Sequence, residues 1–157
     1  KDRRVDATDV RMLTRAQAQQ ISVEHYFRRP RLSDLPPAVQ ASVFDMYVNA
    51  GTNAVKILQR LVARMGFSAT ADGVIGPQTV AAAHDAAAAA PDHFADAYGI
   101  ARRNYYYSLA DQRPASRKYA RSKAGGKGGW ITRAEEFISP RYHLTEAEHR
   151  ERTAKWA

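Results

Sequence analysis

Prolines and glycines punctuate this chain at intervals that frame helices and leave little room for anything else. Pro37, Pro77 and Pro91 each open a run with helical apolar spacing, and Gly51 and Gly66 each close one. A proline lacks the amide donor that a first helical turn leaves unpaired anyway, and a glycine accepts the left-handed backbone that ends a helix. Between these marks, Val39, Val43, Met46, Tyr47 and Ala50 share one face over 37–50, and Ala54, Leu58, Leu61 and Met65 share another over 54–65. A further helix is expected from Pro77 to about Ala89. A long one follows from Pro91, carrying Phe94, Tyr98, Ala101, Tyr105 and Leu109 at helical spacing. Upstream, Thr14 and Gln17 have the spacing of a capping box, predicting a helix from Arg15 to about Phe27 that stops at RRPRLSDLPP. Trp130 to Ile138 reads as a short helix, and Thr145 with Glu148 caps a polar tail helix expected to be peripheral. Alternating β-branched runs are few. The expectation is an all-α chain of six or seven helices in one compact domain.

Composition sets the outer limits. With 157 residues, 45% of them hydrophobic, the chain can bury one core. No apolar run approaches the roughly 18 residues that would mark a bilayer span, so no membrane insertion is expected. The absence of cysteine excludes disulfides and thiolate metal sites. His25, His84, His93, His143 and His149 are scattered without zinc-ligand spacing. The net charge of +8 calls for an acidic partner such as nucleic acid, anionic lipid or bacterial wall. The charge is concentrated: residues 113–133 hold seven Lys or Arg and no Asp or Glu, in a Gly-rich stretch that reads as a mobile solvated loop or a polyanion contact. No helix-turn-helix with a basic recognition helix stands out, and GGKGG lacks the frame of a phosphate-binding loop.

Five features are candidates for more than architecture. In ADGVIGPQT (71–79), Asp72-Gly73 is a turn dipeptide in which Gly73 is expected at positive φ, with Val74 and Ile75 plugging the core beneath it. This loop either locks two helices or presents a ligand surface. Asp45 and Asn49, four residues apart, share one helix face, as a groove-facing pair or as an internal polar pair. Tyr105, Tyr106 and Tyr107 project about 100° apart around their helix, so at least one must edge a surface or groove. Trp130 follows the Gly-rich stretch and is either a core plug or a stacking surface. At the N-terminus, Asp2, Asp6 and Asp9 have the spacing of the second half of a calcium-binding EF-hand loop, although Arg3 stands where that loop needs glycine. The other reading of these aspartates is a cap on a short helix.

LQRLVARMGFSATADGVIGPQTVAAA resembles the signature of peptidoglycan-binding modules through Leu58-Gln59, Gly66, Asp72-Gly73, Ile75-Gly76, Thr79 and Ala82. With FDMYVNAG (44–51) before it, and RRNYYYSL (102–109) and GGWITRAEEF (128–137) after it, the chain is similar to glycoside hydrolase family 108, the phage-endolysin and secretion-activator muramidases. LTRAQAQQISVEHYF and LPPAVQASVFDMYVNAG extend the likeness, which covers about residues 5 to 138. The resemblance implies a lysozyme-like helical fold, no cofactor, and cleavage of the β-1,4 bond between N-acetylmuramic acid and N-acetylglucosamine. It implies that residues 1–37 are the end of the hydrolase region, 38–140 the peptidoglycan-binding-like region packed with it, and 141–157 a peripheral tail. It also implies a catalytic Glu in a Glu-Gly-Gly motif, which this sequence lacks: its Gly-Gly pairs, 125–126 and 128–129, do not follow a Glu. The catalytic Glu is therefore expected upstream of Lys1, and the 157-residue chain alone is expected to be inactive. In such a fold the 37–50 helix would wall the sugar groove, making Asp45, Asn49, Tyr105, Trp130 and Arg133 the candidate substrate contacts, with Asn49 suited to an N-acetyl group. The expected partner is peptidoglycan, met by a monomer in the periplasm or at the cell wall. Two alternatives stay open: a non-catalytic wall-binding module, and a basic nucleic-acid-binding helical domain.

Overall fold

The computed structural model describes residues 6–156 and is helical almost throughout. Nine α-helices are found among the described residues: α1 (Ala7–Arg11), α2 (Arg15–Val23), α3 (Pro37–Ala50), α4 (Asn53–Arg64), α5 (Pro77–Ala89), α6 (Phe94–Gln112), α7 (Arg117–Ala120), α8 (Gly129–Glu135) and α9 (Glu146–Thr153). The all-α class follows from the sequence pattern; α1 and α7 are short helices beyond the seven that the pattern marks. The Thr14–Gln17 capping box opens α2, whose last turn widens into a π-helical segment, Glu24–Arg28. Pro37 and Pro77 sit in the first turns of α3 and α5, and Gly51 ends α3 at φ 58°. The long helix begins at Phe94, three residues later than its proline suggests, because the amides of His93 and Phe94 both turn back onto the Ala90 carbonyl.

Helix α6 is the axis of the molecule, with α3, α4, α7 and α8 packed around it and α5 on α4. Leu32, Val39, Val43, Met46, Leu58, Val62, Phe94 and Tyr98 fill the interior. Helices α1 and α2 bury none of their residues.

Glycine and glutamine settle the 71–79 loop. Gln59, 0% exposed on α4, shares its amide hydrogens among Asp72 Oδ1 (2.8 Å), the Val74 carbonyl (3.0 Å) and Thr79 Oγ1 (3.0 Å). Its Oε1 accepts the Gly73 amide at 2.9 Å. Gly73 takes φ 85°, as its turn requires, and a Cβ there would lie 2.9 Å from the Thr52 Cβ. Ile75 is the core plug; Val74 is not, being 65% exposed, because the Asp72 side chain accepts the Val74 amide and turns that side chain outward.

Two expectations about the C-terminal third are corrected. The tail is docked, not peripheral: Thr145 and Glu148 do cap α9, yet His149, Thr153 and Trp156 are buried. The Tyr107 hydroxyl and His149 Nδ1 are 2.7 Å apart, and Asp111 accepts from both Arg152 (2.7 Å) and the Trp156 indole (2.7 Å). The polar composition of this helix hid a binding face made of histidine, threonine and one tryptophan. The basic stretch is likewise fastened, not free. Its middle is α7, the Gly128 amide bonds the Ala120 carbonyl at 2.9 Å, and a Cβ on Gly128 would lie 2.5 Å from the Tyr119 carbonyl. Lys127, read as a solvated charge, pairs with the buried carboxylate of Glu135.

Candidate functional site

Where α3, α6, α7 and α8 meet, they leave a cleft of about 460 Å³. Asp45 and Asn49 enter it from one face of α3, as their spacing predicts. Arg102 and Tyr106 enter it from one face of α6, where they are likewise four residues apart. Trp130 and Arg133 come from α8, and Lys118 and Tyr119 from α7.

Aromatic rings form one wall. The Trp130 indole stacks on Tyr106 with centroids 4.8 Å apart and an interplanar angle of 22°, and Tyr119 lies 5.0 Å away on the same indole. Trp130 is half-buried, so it is both a packing residue and a lining residue. The Tyr106 hydroxyl accepts from the Asn49 amide at 2.9 Å, which leaves the amide oxygen and the second amide hydrogen of Asn49 without a partner among the described residues.

Charges adjoin this wall. The Asp45 carboxylate binds Arg102 through Oδ2 and Arg133 through Oδ1, the latter at 2.7 Å from Nε. Arg102 is almost wholly buried, with 1% of its side chain exposed, and its guanidinium also lies over the Tyr106 and Phe137 rings. Burial pushes the Asp45 carboxyl up, but the hydrogen bonds and charges of Arg133 and Arg102 outweigh that and hold it below its ordinary value. The pair also raises Arg133, chiefly through the Asp45 hydrogen bond. Behind α8, Glu135 accepts from Arg103 (2.9 Å) and the Leu144 amide (2.9 Å), fixing the helix that carries Trp130 and Arg133.

The cleft thus gathers four of the five expected contacts: Asp45, Asn49, Trp130 and Arg133. Tyr105 is placed elsewhere. It turns to the far side of α6, into a smaller depression with Arg60, Arg64 and Asn104, and touches the site through an edge contact with Tyr106. Sequence reasoning passed over Arg102 and did not single out Tyr106 from the other two tyrosines. Both were accessible, because a helix that buries Tyr98 places Arg102 and Tyr106 along the same row at four-residue steps. Lys118 was marked only as one charge of the basic stretch, and nothing marked Tyr119.

The lining has one carboxylate, Asp45, and it is held ionised. It can orient guanidinium groups and accept hydrogen bonds, but a general acid needs its pKa raised, not lowered. At the N-terminus, Asp6 Oδ1 accepts the amides of Thr8 (2.7 Å) and Asp9 (3.1 Å), and Asp9 accepts the Asp6 amide. These two carboxylates form the capping box of α1, the helix-cap reading of that stretch, while Asp2 lies outside the described residues. No group of three or more His, Asp or Glu suited to a metal ion occurs among the described residues.

Comparison with known proteins supplies the family. Residues 53–135 match the Predicted Peptidoglycan domain, and residues 1–51 match Glycosyl hydrolase 108. The solved structure of Brucella abortus SagA is similar, at 28% identity and a TM-score of 0.55, covering 86% of this chain and 71% of that one. No curated protein matches. The cleft is drawn from both matched segments: Asp45 and Asn49 fall in the hydrolase match, Arg102 to Arg133 in the peptidoglycan match. The peptidoglycan match spans more than half of the 157 residues, and the chain belongs to the Predicted Peptidoglycan domain family, with its Glycosyl hydrolase 108 match directly before it in sequence.

Proposed function

We propose that this chain is the glycan-holding part of an N-acetylmuramidase, which hydrolyses the β-1,4 bond between N-acetylmuramic acid and N-acetylglucosamine in peptidoglycan. The observation that carries the reading is the Trp130 and Tyr119 rings, backed by Tyr106, with Asn49 bonded to that same wall in one cleft, in a chain of this family. A pyranose presents apolar C–H faces that pack against flat rings, and its N-acetyl group offers one donor and one acceptor. Asn49 has one of each to spare. The Asp45–Arg102–Arg133 bridge holds α3, α6 and α8 at a fixed separation, so the cleft keeps its width before substrate arrives.

Protonation of the leaving oxygen is not assigned to this cleft, since its carboxylate stays ionised at neutral pH. That same fact favours a second reading, a non-catalytic wall-binding module, over a nucleic-acid binder whose surface would need no such cleft. The test is to incubate purified walls with residues 1–157 and, separately, with the full open reading frame, then reduce the products and identify the new ends by mass spectrometry. Muramitol ends from the full open reading frame support the muramidase reading, and wall retention without cleavage by both supports the binding module. Glucosaminitol ends, or no retention of either, would refute the proposal.

A further inference from the structure

Six of the thirteen Lys and Arg residues in the C-terminal half pair with carboxylates. Arg102 and Arg133 pair with Asp45, Arg103 and Lys127 with Glu135, and Arg152 and Lys155 with Asp111. Arg113, Arg141 and Arg150 have no carboxylate among the described residues within ion-pair distance, and neither do Arg117, Lys118, Arg121 and Lys123, which alone of these gather in one place. These last four converge on a separate open groove of about 290 Å³ beside Trp156. Arg117 lies over the Trp156 ring at 6.0 Å, and Arg121 Nε is buried without a hydrogen-bond partner. Four like charges gathered on one short segment repel each other, so the arrangement costs stability unless an anion offsets it.

This groove borders the cleft at one residue. Lys118 lines both, reaching past Tyr119, whose ring lies 5.1 Å from its Nζ and is itself packed on Trp130. A ligand with sugar rings on Trp130 and an anionic arm running over α7 would touch both surfaces at once. We propose that the Arg117–Lys118–Arg121–Lys123 groove is a second subsite that takes the carboxylates of the stem peptide borne by a glycan seated in the cleft. The inference rests on the glycan reading above. It makes the substrate peptide-bearing peptidoglycan, as opposed to stripped or neutral N-acetylglucosamine polymers.

The test compares binding of two ligands, peptide-bearing glycan strands and the same strands stripped of peptide by an amidase. Three proteins are used: wild type, Arg117→Gln/Arg121→Gln/Lys123→Gln, and Arg117→Gln/Lys123→Gln, which spares the partly buried Arg121. Lys118 is left intact because it also lines the cleft. At low salt, wild type should prefer peptide-bearing strands by about tenfold, the sum expected of several exposed charges. The preference should shrink as salt shortens the screening length and should disappear in the triple variant, while affinity for stripped strands stays unchanged. If wild type binds both strands equally, or the preference survives in both variants, the subsite is refuted and the glycan cleft stands. If neither strand binds, the glycan reading itself fails. If a phosphodiester polymer such as teichoic acid binds the groove more tightly than peptide-bearing strands, the groove belongs to that polymer and the proposal is overturned.

Discussion

The α4–α5 connection and the α6–α8 cleft are both polar, glycine-flanked places in a helical protein, yet they use their polar groups in opposite ways. Around Gln59, the polar groups of Asp72, Gly73, Val74 and Thr79 are turned on one another, and the loop closes over a buried amide. In the cleft, Asp45 and the two arginines neutralise one another along one wall, while the rings of Trp130 and Tyr119, backed by the buried Tyr106, and part of Asn49 stay open to a ligand. Glycine punctuation therefore does not separate a lock from a ligand surface. The spare hydrogen-bonding and stacking capacity left after the protein has satisfied itself does.

The comparison is broken most severely by removing Asp45. Asp45→Ala leaves Arg102 buried and unpaired, and loss of one partner of a buried pair costs about 3–5 kcal/mol, read as a lower midpoint in urea. The same contribution has a pH signature. Because Asp45 lies below its ordinary value in the folded state, its contribution is fully present above the unfolded pKa of roughly 4 and is lost as pH falls through the folded value. Wild type and Asp45→Ala should therefore converge in stability in acid and diverge toward neutrality. A constant gap from neutrality to acid would show that the bridge is not what Asp45 contributes.

Next in size is the lock. Gln59→Leu keeps the volume and deletes four contacts, leaving the buried Gly73 amide unpaired while the Val74 carbonyl keeps its Gly76 and Thr79 donors, at about 2–4 kcal/mol. Glycan affinity per folded molecule should not change; if it does, the loop is a ligand surface after all. Gly73→Val should cost about 1–3 kcal/mol, since it forces a β-branched residue to positive φ and against Thr52. The smallest effect on stability belongs to Arg117→Gln/Lys123→Gln: a melting temperature within a degree or two of wild type is expected, because exposed charges contribute little.

The sequence marked helices wherever an apolar stripe met a proline or glycine, and α3, α4 and α5 fall where those marks lie. It marked Asp45 and Asn49 because four-residue spacing puts both on one face whatever the fold. It could not show that Asp45 reaches across to Arg102 and Arg133, 57 and 88 residues away, since such pairing depends on how helices stack. The three consecutive tyrosines show the same limit. Their spacing requires divergence, but packing against α8 puts Tyr106 at the site and Tyr105 behind it. The α9 tail was underestimated because its buried face is His149, Thr153 and Trp156, not an aliphatic stripe.

The central claim is that sugar rings lie on Trp130 within the α3–α6–α8 cleft. Its most direct measurement is a nuclear magnetic resonance titration of the isotope-labelled chain with soluble peptidoglycan fragments, following side-chain signals. The chain has two tryptophans, so the Trp130 indole is assigned by comparison with Trp130→Phe. The account predicts saturable shifts of the Trp130 indole and the Asn49 side-chain amide, with the Asn104 amide beside Tyr105 unmoved. Shifts centred on Asn104 and its neighbours, with Trp130 and Asn49 silent, would contradict it.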